Sequence, residues 1–276
     1  MRKHKEDNIV LNIGFLILAG IMIIPFFWMI SLSLRPESEI MVKGLPGPLP
    51  IRFTLQAYIN AFKAVNFSRV YLNSLIAAII VTSSTVLLSS LAGYSFAKHR
   101  FPGKNLLFIL VLSTMMIPLQ VTMIPLYLVM ASLRWQNTYQ GLVSPFLVSA
   151  FGIFLMRQFI RNIPDEIIDA ARIDGCSEIL IFRKIILPLS KPALATLAIL
   201  TFMWNWDLFL WPLIIINSPD MMTVPLAMAM IRHQAGSFTI YTTQFAVATV
   251  GTLPSLVVFT ALQRYFVKGI TLTGLK

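Results

Sequence analysis

Charged residues are scarce in this chain, and cysteine is almost absent. Only 12% of its 276 residues are charged, and the single cysteine, Cys176, has no partner for an internal disulfide. The sequence contains no HExxH pair, no nucleophile elbow and no complete phosphate-binding loop. No linker rich in glycine and serine divides it. These absences argue against a soluble multidomain enzyme and against ATP hydrolysis by this chain alone.

Hydrophobic residues, in contrast, are abundant. They make up 57% of the sequence, and the mean hydropathy is +0.78. A soluble domain could not bury that much apolar surface, and several runs reach the roughly 20 residues that a membrane span needs. The net charge of +11 is scattered between these runs. It therefore predicts membrane orientation and contact with anionic lipid rather than nucleic-acid binding.

We predict an all-α integral membrane protein whose residues 1–276 form one domain with six spans. The first apolar run is longer than the roughly 7–15 apolar residues of a signal peptide, so we expect it to be retained. Most of the 22 Lys and Arg residues lie on the side that the two termini share, which predicts cytoplasmic termini. The predicted spans are residues 9–34, 70–97, 105–133, 141–160, 193–216 and 242–267.

Several features between and within the spans carry predictions of their own. Residues 54–67 have the pattern of a short interfacial helix, and we expect residues 217–241 to form an external loop. Pro118 and Pro125 each remove a backbone hydrogen bond from the third span, so they should bend or end its helix.

A charged island interrupts the apolar pattern at residues 161–192. Five of the eleven acids lie between Asp165 and Glu178. Pro164 suits a helix start, Gly175 suits a left-handed helix end, and Ser177 can start a second short helix. The island therefore predicts two short helices that meet at Gly175.

The first of these helices has an apolar stripe, which we place at Ile167, Ile168 and Ala171. Ala170 and Ala171 are small enough to let another surface approach to backbone distance. Periodicity alone leaves two interpretations open, because an ordinary interfacial helix between two spans would have the same pattern.

The residue identities favour one interpretation. The order Asp169-Ala170-Ala171-Arg172-Ile173-Asp174-Gly175, followed by Phe182 and Leu187-Pro188, resembles the EAA loop of ABC importer permeases. In that family the loop is a coupling helix that docks into a cleft on an ATPase subunit. Asp169 stands where glutamate is usual, and Cys176 stands where alanine is common. The resemblance assigns ATPase coupling to Asp169, Ala170, Ala171, Asp174, Gly175, Cys176 and Phe182.

The resemblance extends over nearly the whole chain. The segments 91–97, 100–103, 117–121, 151–159, 209–212 and 263–269 look like the smaller, six-span permeases of the maltose-type carbohydrate-uptake subfamily. This implies the type I ABC importer permease fold, a multi-pass protein of the cytoplasmic (inner) membrane, and an oligosaccharide as cargo. The implied partners are a homologous second permease, two ATPase subunits that use ATP and Mg, and an extracellular or periplasmic solute-binding protein. The chain itself would bind no cofactor.

Two further groups are candidate sites. Trp204, Asn205, Asp207 and Trp211 could form part of a substrate path, because sugars bind aromatic faces flanked by hydrogen-bonding groups, and acids at membrane depth usually face a cavity or a polar partner. The alternative is a structural role in helix packing and at the membrane interface. Residues 231–239 resemble in position the loop with which this family reaches its binding protein, which gives the candidates Gln234, Gly236 and Ser237. The alternative is a solvated connector.

Two other functions compete with import driven by ATP. A secondary transporter driven by an ion gradient would need ionisable residues within the spans, and Asp207 is the only acid there. An intramembrane serine protease would need a basic partner at the depth of its serine, and no predicted span contains histidine.

Overall fold

The structure is a computed structural model, and it describes residues 2–40, 47–234 and 241–273. Over these ranges the chain forms helices and no strand, which confirms the predicted all-α class. The α-helices in the described ranges are α1 (Arg2–Ser33), α2 (Glu37–Ile40), α3 (Gln56–Ala64), α4 (Phe67–Lys98), α5 (Lys104–Thr114), α6 (Leu119–Ser132), α7 (Tyr139–Val143), α8 (Ala150–Arg161), α9 (Asp165–Ile173), α10 (Glu178–Ile181), α11 (Leu187–Leu189), α12 (Lys191–Trp206), α13 (Leu210–Ile215), α14 (Val224–Gln234) and α15 (Tyr241–Thr273). Short 3₁₀ turns cover Ser144–Phe146 and Pro219–Met221, and a π-helical turn covers Phe182–Ile186.

Three helices are long and apolar enough to cross a membrane unaided. They are α4 and the segments Leu11–Ser33 of α1 and Tyr241–Arg264 of α15. Three bent pairs meet the same test when each pair is taken together: α5 with α6 at 97°, residues 139–146 with α8 at 42°, and residues 178–189 with α12 at 78°. The described chain thus has up to six spans by length and composition.

Prolines explain some of these bends. Pro118 precedes α6, and the chain breaks there as predicted. Pro125 lies inside α6 and does not end it. Within the predicted external loop, residues 224–234 form α14, which the pattern did not reveal. Pro225 is the second residue of that helix, where a missing N–H costs nothing.

The predicted fifth span is not one continuous helix. Helix α12 ends at Trp206 and α13 begins at Leu210, with non-helical residues between them. Helix α12 rises about 24 Å over its 16 residues, which is less than the roughly 30 Å thickness of the hydrocarbon core, so α12 alone does not span it.

The chain divides into two compact units. The first consists of Met1–Ser68 and Ala227–Leu253. Its buried Arg35 donates hydrogen bonds to Ser31 Oγ at 3.0 Å, to Glu39 Oε1 at 2.9 Å and to the carbonyl of Gly47. The ion pair with Glu39 and the other two hydrogen bonds offset much of the cost of burying this charge.

The second unit consists of Arg69–Leu226 and Pro254–Lys276. Small residues let α4 and α8 approach closely within it. A Cβ atom added to Gly93 of α4 would lie 2.7 Å from the Cβ of Met156 in α8, and one added to Gly152 of α8 would collide with the Ser89 hydroxyl. Backbones can approach in lipid only where side chains are this small.

Candidate functional site

The charged island forms the predicted pair of short helices. Gly175 follows α9 with a φ of +78°, in the left-handed region. The Cys176 N–H donates to the Ala171 carbonyl at 3.0 Å, and the Gly175 N–H donates to the Arg172 carbonyl at 3.0 Å. This pattern is a Schellman motif, which ends a helix by satisfying its last carbonyl groups. The bend predicted at Gly175 is therefore confirmed.

The second helix also begins where the sequence predicts. The hydroxyl of Ser177 accepts a hydrogen bond from the Leu180 N–H at 3.4 Å and so caps α10. Helix α10 then continues through the π-helical turn into α11. Such turns insert one extra residue into a helix and occur frequently at functional sites. We call residues 165–189, from α9 to α11, the coupling segment.

The inner side of the coupling segment packs into the core of its own unit. Ile168, Ala171, Ile181 and Phe182 are buried there with Met156 of α8. Ala171 and Phe182, which the resemblance assigns to ATPase coupling, are only 7% and 6% exposed and hold the segment against the rest of the unit, so neither lies on its outer surface.

A different apolar stripe faces outward. Ile167, Ala170 and Ile173 are spaced three residues apart, so they lie on one face of α9. All three are exposed, and Ile173 reaches 87% exposure. The sequence grouped Ile167 with Ile168 and Ala171 in one stripe, but Ile167 is exposed whereas the other two are buried. The sequence did not distinguish the two stripes because each has the same helical spacing.

The remaining predicted coupling residues lie on or near the outer surface. Asp169, Asp174 and Gly175 are exposed, and Cys176 is half-buried beside the core. Asp169 accepts a hydrogen bond from Arg172 Nη1 at 3.1 Å, so its carboxylate is held in place while remaining accessible.

A polar cluster ties the coupling segment to α4. The Glu178 carboxylate accepts hydrogen bonds from the Tyr94 hydroxyl at 2.7 Å and from Arg172 Nε at 2.8 Å, and it lies 3.2 Å from His99 Nε2. Arg172 lowers the pKa of Glu178, and Tyr94 adds to the effect. Glu178 in turn raises the pKa of Arg172. The carboxylate and guanidinium therefore stay charged and bound to each other.

Lys98, the last residue of α4, makes a second tie. Its ammonium donates to Asp165 Oδ1 at 2.6 Å and to the carbonyl of Ile163. The hydrogen bond from Lys98 lowers the pKa of Asp165. The sequence analysis missed both ties because their partners lie 84 and 67 positions apart.

The predicted substrate-path residues separate into two groups. Trp204 and Asp207 line a cavity of about 620 Å³, and both are exposed to it. Gln120 lines the same cavity and was not predicted. Asn205 is half-buried and is not among the lining residues. Trp211 is fully buried, and its indole N–H donates to the Gly141 carbonyl at 3.0 Å, so it is a packing residue rather than part of a path.

Trp204 also lines a second, apolar cavity of about 450 Å³. Its ring makes an edge-to-face contact with Phe146, with 5.1 Å between centroids. This contact fixes one edge of the indole while 49% of the residue stays exposed.

The residues predicted to contact a binding protein are only partly described. Gln234 is the last residue of α14, whereas Gly236 and Ser237 lie outside the described residues. In the described ranges, no group of three or more His, Cys, Asp and Glu residues has the arrangement of a metal site.

Comparison with known proteins adds independent findings. A family model described as "Binding-protein-dependent transport system inner membrane component" matches residues 85–272. The chain is 37% identical to the arabinooligosaccharides transport system permease protein AraQ of Halalkalibacterium halodurans, over 99% of both chains. It is 34% identical to the sn-glycerol-3-phosphate transport system permease protein UgpE of Salmonella typhi, over 92% of this chain and 93% of the relative.

A solved structure shares the fold. A chain of a bacterial ABC transporter involved in the import of the acidic polysaccharide alginate superposes with a TM-score of 0.84, covering 96% of this chain and 98% of that one. The two sequences are 22% identical, so this likeness concerns the fold alone.

Proposed function

Because the chain belongs to the family of binding-protein-dependent transport system inner membrane components, we propose that it carries a carbohydrate inward under the control of ATPase subunits. The observation that supports this most directly is the construction of the coupling segment. Its inner side packs against α8, its acids Glu178 and Asp165 are hydrogen-bonded to α4, and its outer stripe is exposed. A force applied to that stripe would therefore reach two spans.

We propose that the outer stripe docks into a cleft of an ATPase subunit. Ala170 is flanked by two exposed isoleucines, and burying such apolar surface contributes about 25 cal/mol per Å². Asp169 and Asp174 lie beside the stripe and would meet basic groups of the partner. Two ATPase subunits, a homologous second permease and a solute-binding protein would complete the importer, with both termini of this chain on the ATPase side of the cytoplasmic membrane.

The transmission of movement follows from the contacts within the second unit. ATP binding would draw the ATPase subunits together and displace α9. The ties at Glu178 and Lys98 would carry that displacement to α4, and the buried stripe would carry it to α8. Packed cores are bistable rather than continuously deformable, so a small displacement switches the spans between inward-facing and outward-facing arrangements.

We propose an oligosaccharide as the cargo. The support is the similarity to AraQ, whose printed name refers to arabinooligosaccharides, together with the exposed Trp204 ring beside a cavity that Gln120 and Asp207 also line. An sn-glycerol phosphate is the second candidate, because UgpE is also similar to this chain. Gln234, Gly236 and Ser237 remain our candidates for contact with the binding protein.

The docking proposal is tested by Ala170→Arg in the complete importer reconstituted in proteoliposomes. A bulky charge at the centre of the outer stripe should prevent docking and reduce ATP-dependent sugar uptake by at least about a hundredfold, since losing about 3 kcal/mol of contact corresponds to that factor. Co-purification of the ATPase subunits with this chain should fall in parallel.

Asn105→Arg is the matched control. Asn105 is exposed on α5, outside the coupling segment, and the substitution adds the same charge. It should leave uptake and co-purification close to the unaltered values. Normal uptake by the Ala170→Arg importer would refute docking through this stripe.

A further inference from the structure

The break between α12 and α13 brings an unpaired carboxylate to a cavity. Here the break borders the 620 Å³ cavity lined by Gln120, Trp204, Asp207 and Phe209. The lining is mainly apolar, and the Gln120 amide and the Asp207 carboxylate bring polar groups to it.

The carboxylate of Asp207 is unusual in its surroundings. It makes no hydrogen bond or ion pair with any residue that the structure describes, although its backbone N–H donates to the Met203 carbonyl at 3.1 Å. It is also the only ionisable side chain among the residues that line this cavity. Asp207 lies in the predicted fifth span, where an unpaired acid is costly and usually marks a path for a solute or an ion.

The other lining groups are suited to a neutral polyol. Trp204 offers an exposed aromatic face, on which the C–H groups of a sugar ring can stack. The Gln120 side-chain amide can both donate and accept hydrogen bonds, and the Asp207 carboxylate can accept them from hydroxyl groups. No cationic side chain lines this cavity to balance the charge of an anionic solute.

We infer that Asp207 makes the solute path of this chain selective for neutral sugars over anionic solutes. The inference rests on the proposed carbohydrate import and adds a charge criterion to it. A neutral sugar hydrogen-bonds to the carboxylate, whereas a phosphate or carboxylate on the solute is repelled by it. Among the two candidate cargoes, this favours the oligosaccharide over the glycerol phosphate.

The size of the effect follows from Coulomb's law. Two negative charges about 8 Å apart, in a site with an effective dielectric constant of about 20, disfavour each other by roughly thirtyfold. We therefore expect the ratio of neutral to anionic uptake to fall by about ten- to thirtyfold when the charge of Asp207 is removed.

The experiment uses the complete importer in proteoliposomes with two matched probes. One probe is a neutral arabinooligosaccharide, and the other is the aldonate made by oxidising its reducing end, which adds one negative charge. ATP-dependent uptake of each probe is divided by the measured occupancy of the binding protein, so that selection by that protein is removed. Asp207→Asn should raise relative uptake of the aldonate, whereas Gln120→Glu, which adds a second negative charge, should lower it further.

Asp220→Asn is the control, because it removes the same charge from an exposed residue that does not line the cavity. An unchanged uptake ratio in both Asp207→Asn and Gln120→Glu, with robust neutral uptake by the unaltered importer, would overturn the inference and leave the proposed function intact. A complete lack of uptake of both probes by the unaltered importer would count against the proposed function itself, and the inference would fall with it.

Discussion

Two parts of the second unit differ in whether their carboxylates have hydrogen-bonding partners. In the coupling segment, Glu178 is held by Tyr94 and Arg172, and Asp165 is held by Lys98. At the helix break, Asp207 has no such partner among the described residues. The paired acids fix one element against another and so suit the transmission of force. The unpaired acid keeps its hydrogen-bonding capacity available, which suits a passing solute. Similar residues therefore serve mechanical and recognition roles according to their neighbours.

The largest effect is expected from removing the Glu178 carboxylate, one of the paired acids of the coupling segment. Glu178→Ala leaves Arg172 and Tyr94 without their shared acceptor, so movement of α9 should no longer reach α4 efficiently. We expect ATP-driven uptake to fall by about tenfold while ATP hydrolysis persists, because the loss of charge-assisted hydrogen bonds costs roughly 1.5–3 kcal/mol. The measurement is the number of sugar molecules transported per ATP hydrolysed.

Glu178→Gln provides the graded control for that prediction. Its amide oxygen can still accept from Tyr94, but the charge that binds Arg172 is lost, so transport per ATP should be intermediate. Equal transport per ATP in Glu178→Ala and the unaltered importer would show that the tie at Glu178 does not couple the two activities.

Substitutions of the two tryptophans Trp211 and Trp204 are expected to have smaller effects than the loss of the Glu178 carboxylate. Trp211→Phe removes a buried hydrogen bond to the Gly141 carbonyl and leaves a small void, so the melting temperature of the purified complex should drop by a few degrees. Trp204→Ala removes an exposed ring, so it should weaken uptake of the neutral sugar about fivefold with little change in melting temperature. The reverse pattern, in uptake assays and thermal unfolding of both variants, would return Trp211 to the solute path.

The smallest expected effect concerns pH. The pKa values of Glu178 and Asp165 are lowered in the folded protein, chiefly by Arg172 and Lys98 respectively. The two carboxylates therefore contribute their full stabilisation at pH values above the pKa values that they have in the unfolded chain. They lose it as the pH falls through the pKa values that they have in the folded protein. Thermal unfolding scans should show a modest loss of stability below about pH 4.5. That loss should shrink in Glu178→Gln, and an equal loss in both proteins would exclude Glu178 as a source.

Local signals in the sequence predicted the coupling segment well. The left-handed Gly175 and the Ser177 cap depend on residues within a few positions of each other, and the structure confirms both. The all-α class follows in the same way from long apolar runs. The direction in which Ala171 faces could not be predicted, because two apolar stripes share one helical period and only tertiary packing distinguishes them.

The substrate-path residues show a second limit of prediction from the sequence. The sequence predicted a continuous helix over residues 193–216, and that prediction gave no reason to expect different surroundings for Trp204 and Trp211. The break at residues 207–209 redirects the chain, so that one ring faces a cavity and the other enters the core. No proline or glycine stands at positions 207–209 to reveal the break. Gln120 joins the cavity from a distant helix, and periodicity carries no information about such long-range contacts.

The close packing of α4 against α8 has a consequence for the ionic environment. The ties at Glu178 and Lys98 involve partly exposed acids, so dissolved ions weaken them over distances of about 8 Å at physiological salt. The contact of Gly93 with Met156 is an apolar packing contact without charge, and ions in solution do not alter it. At high salt, the two spans would still move as one body, while the coupling segment would be held less tightly to them.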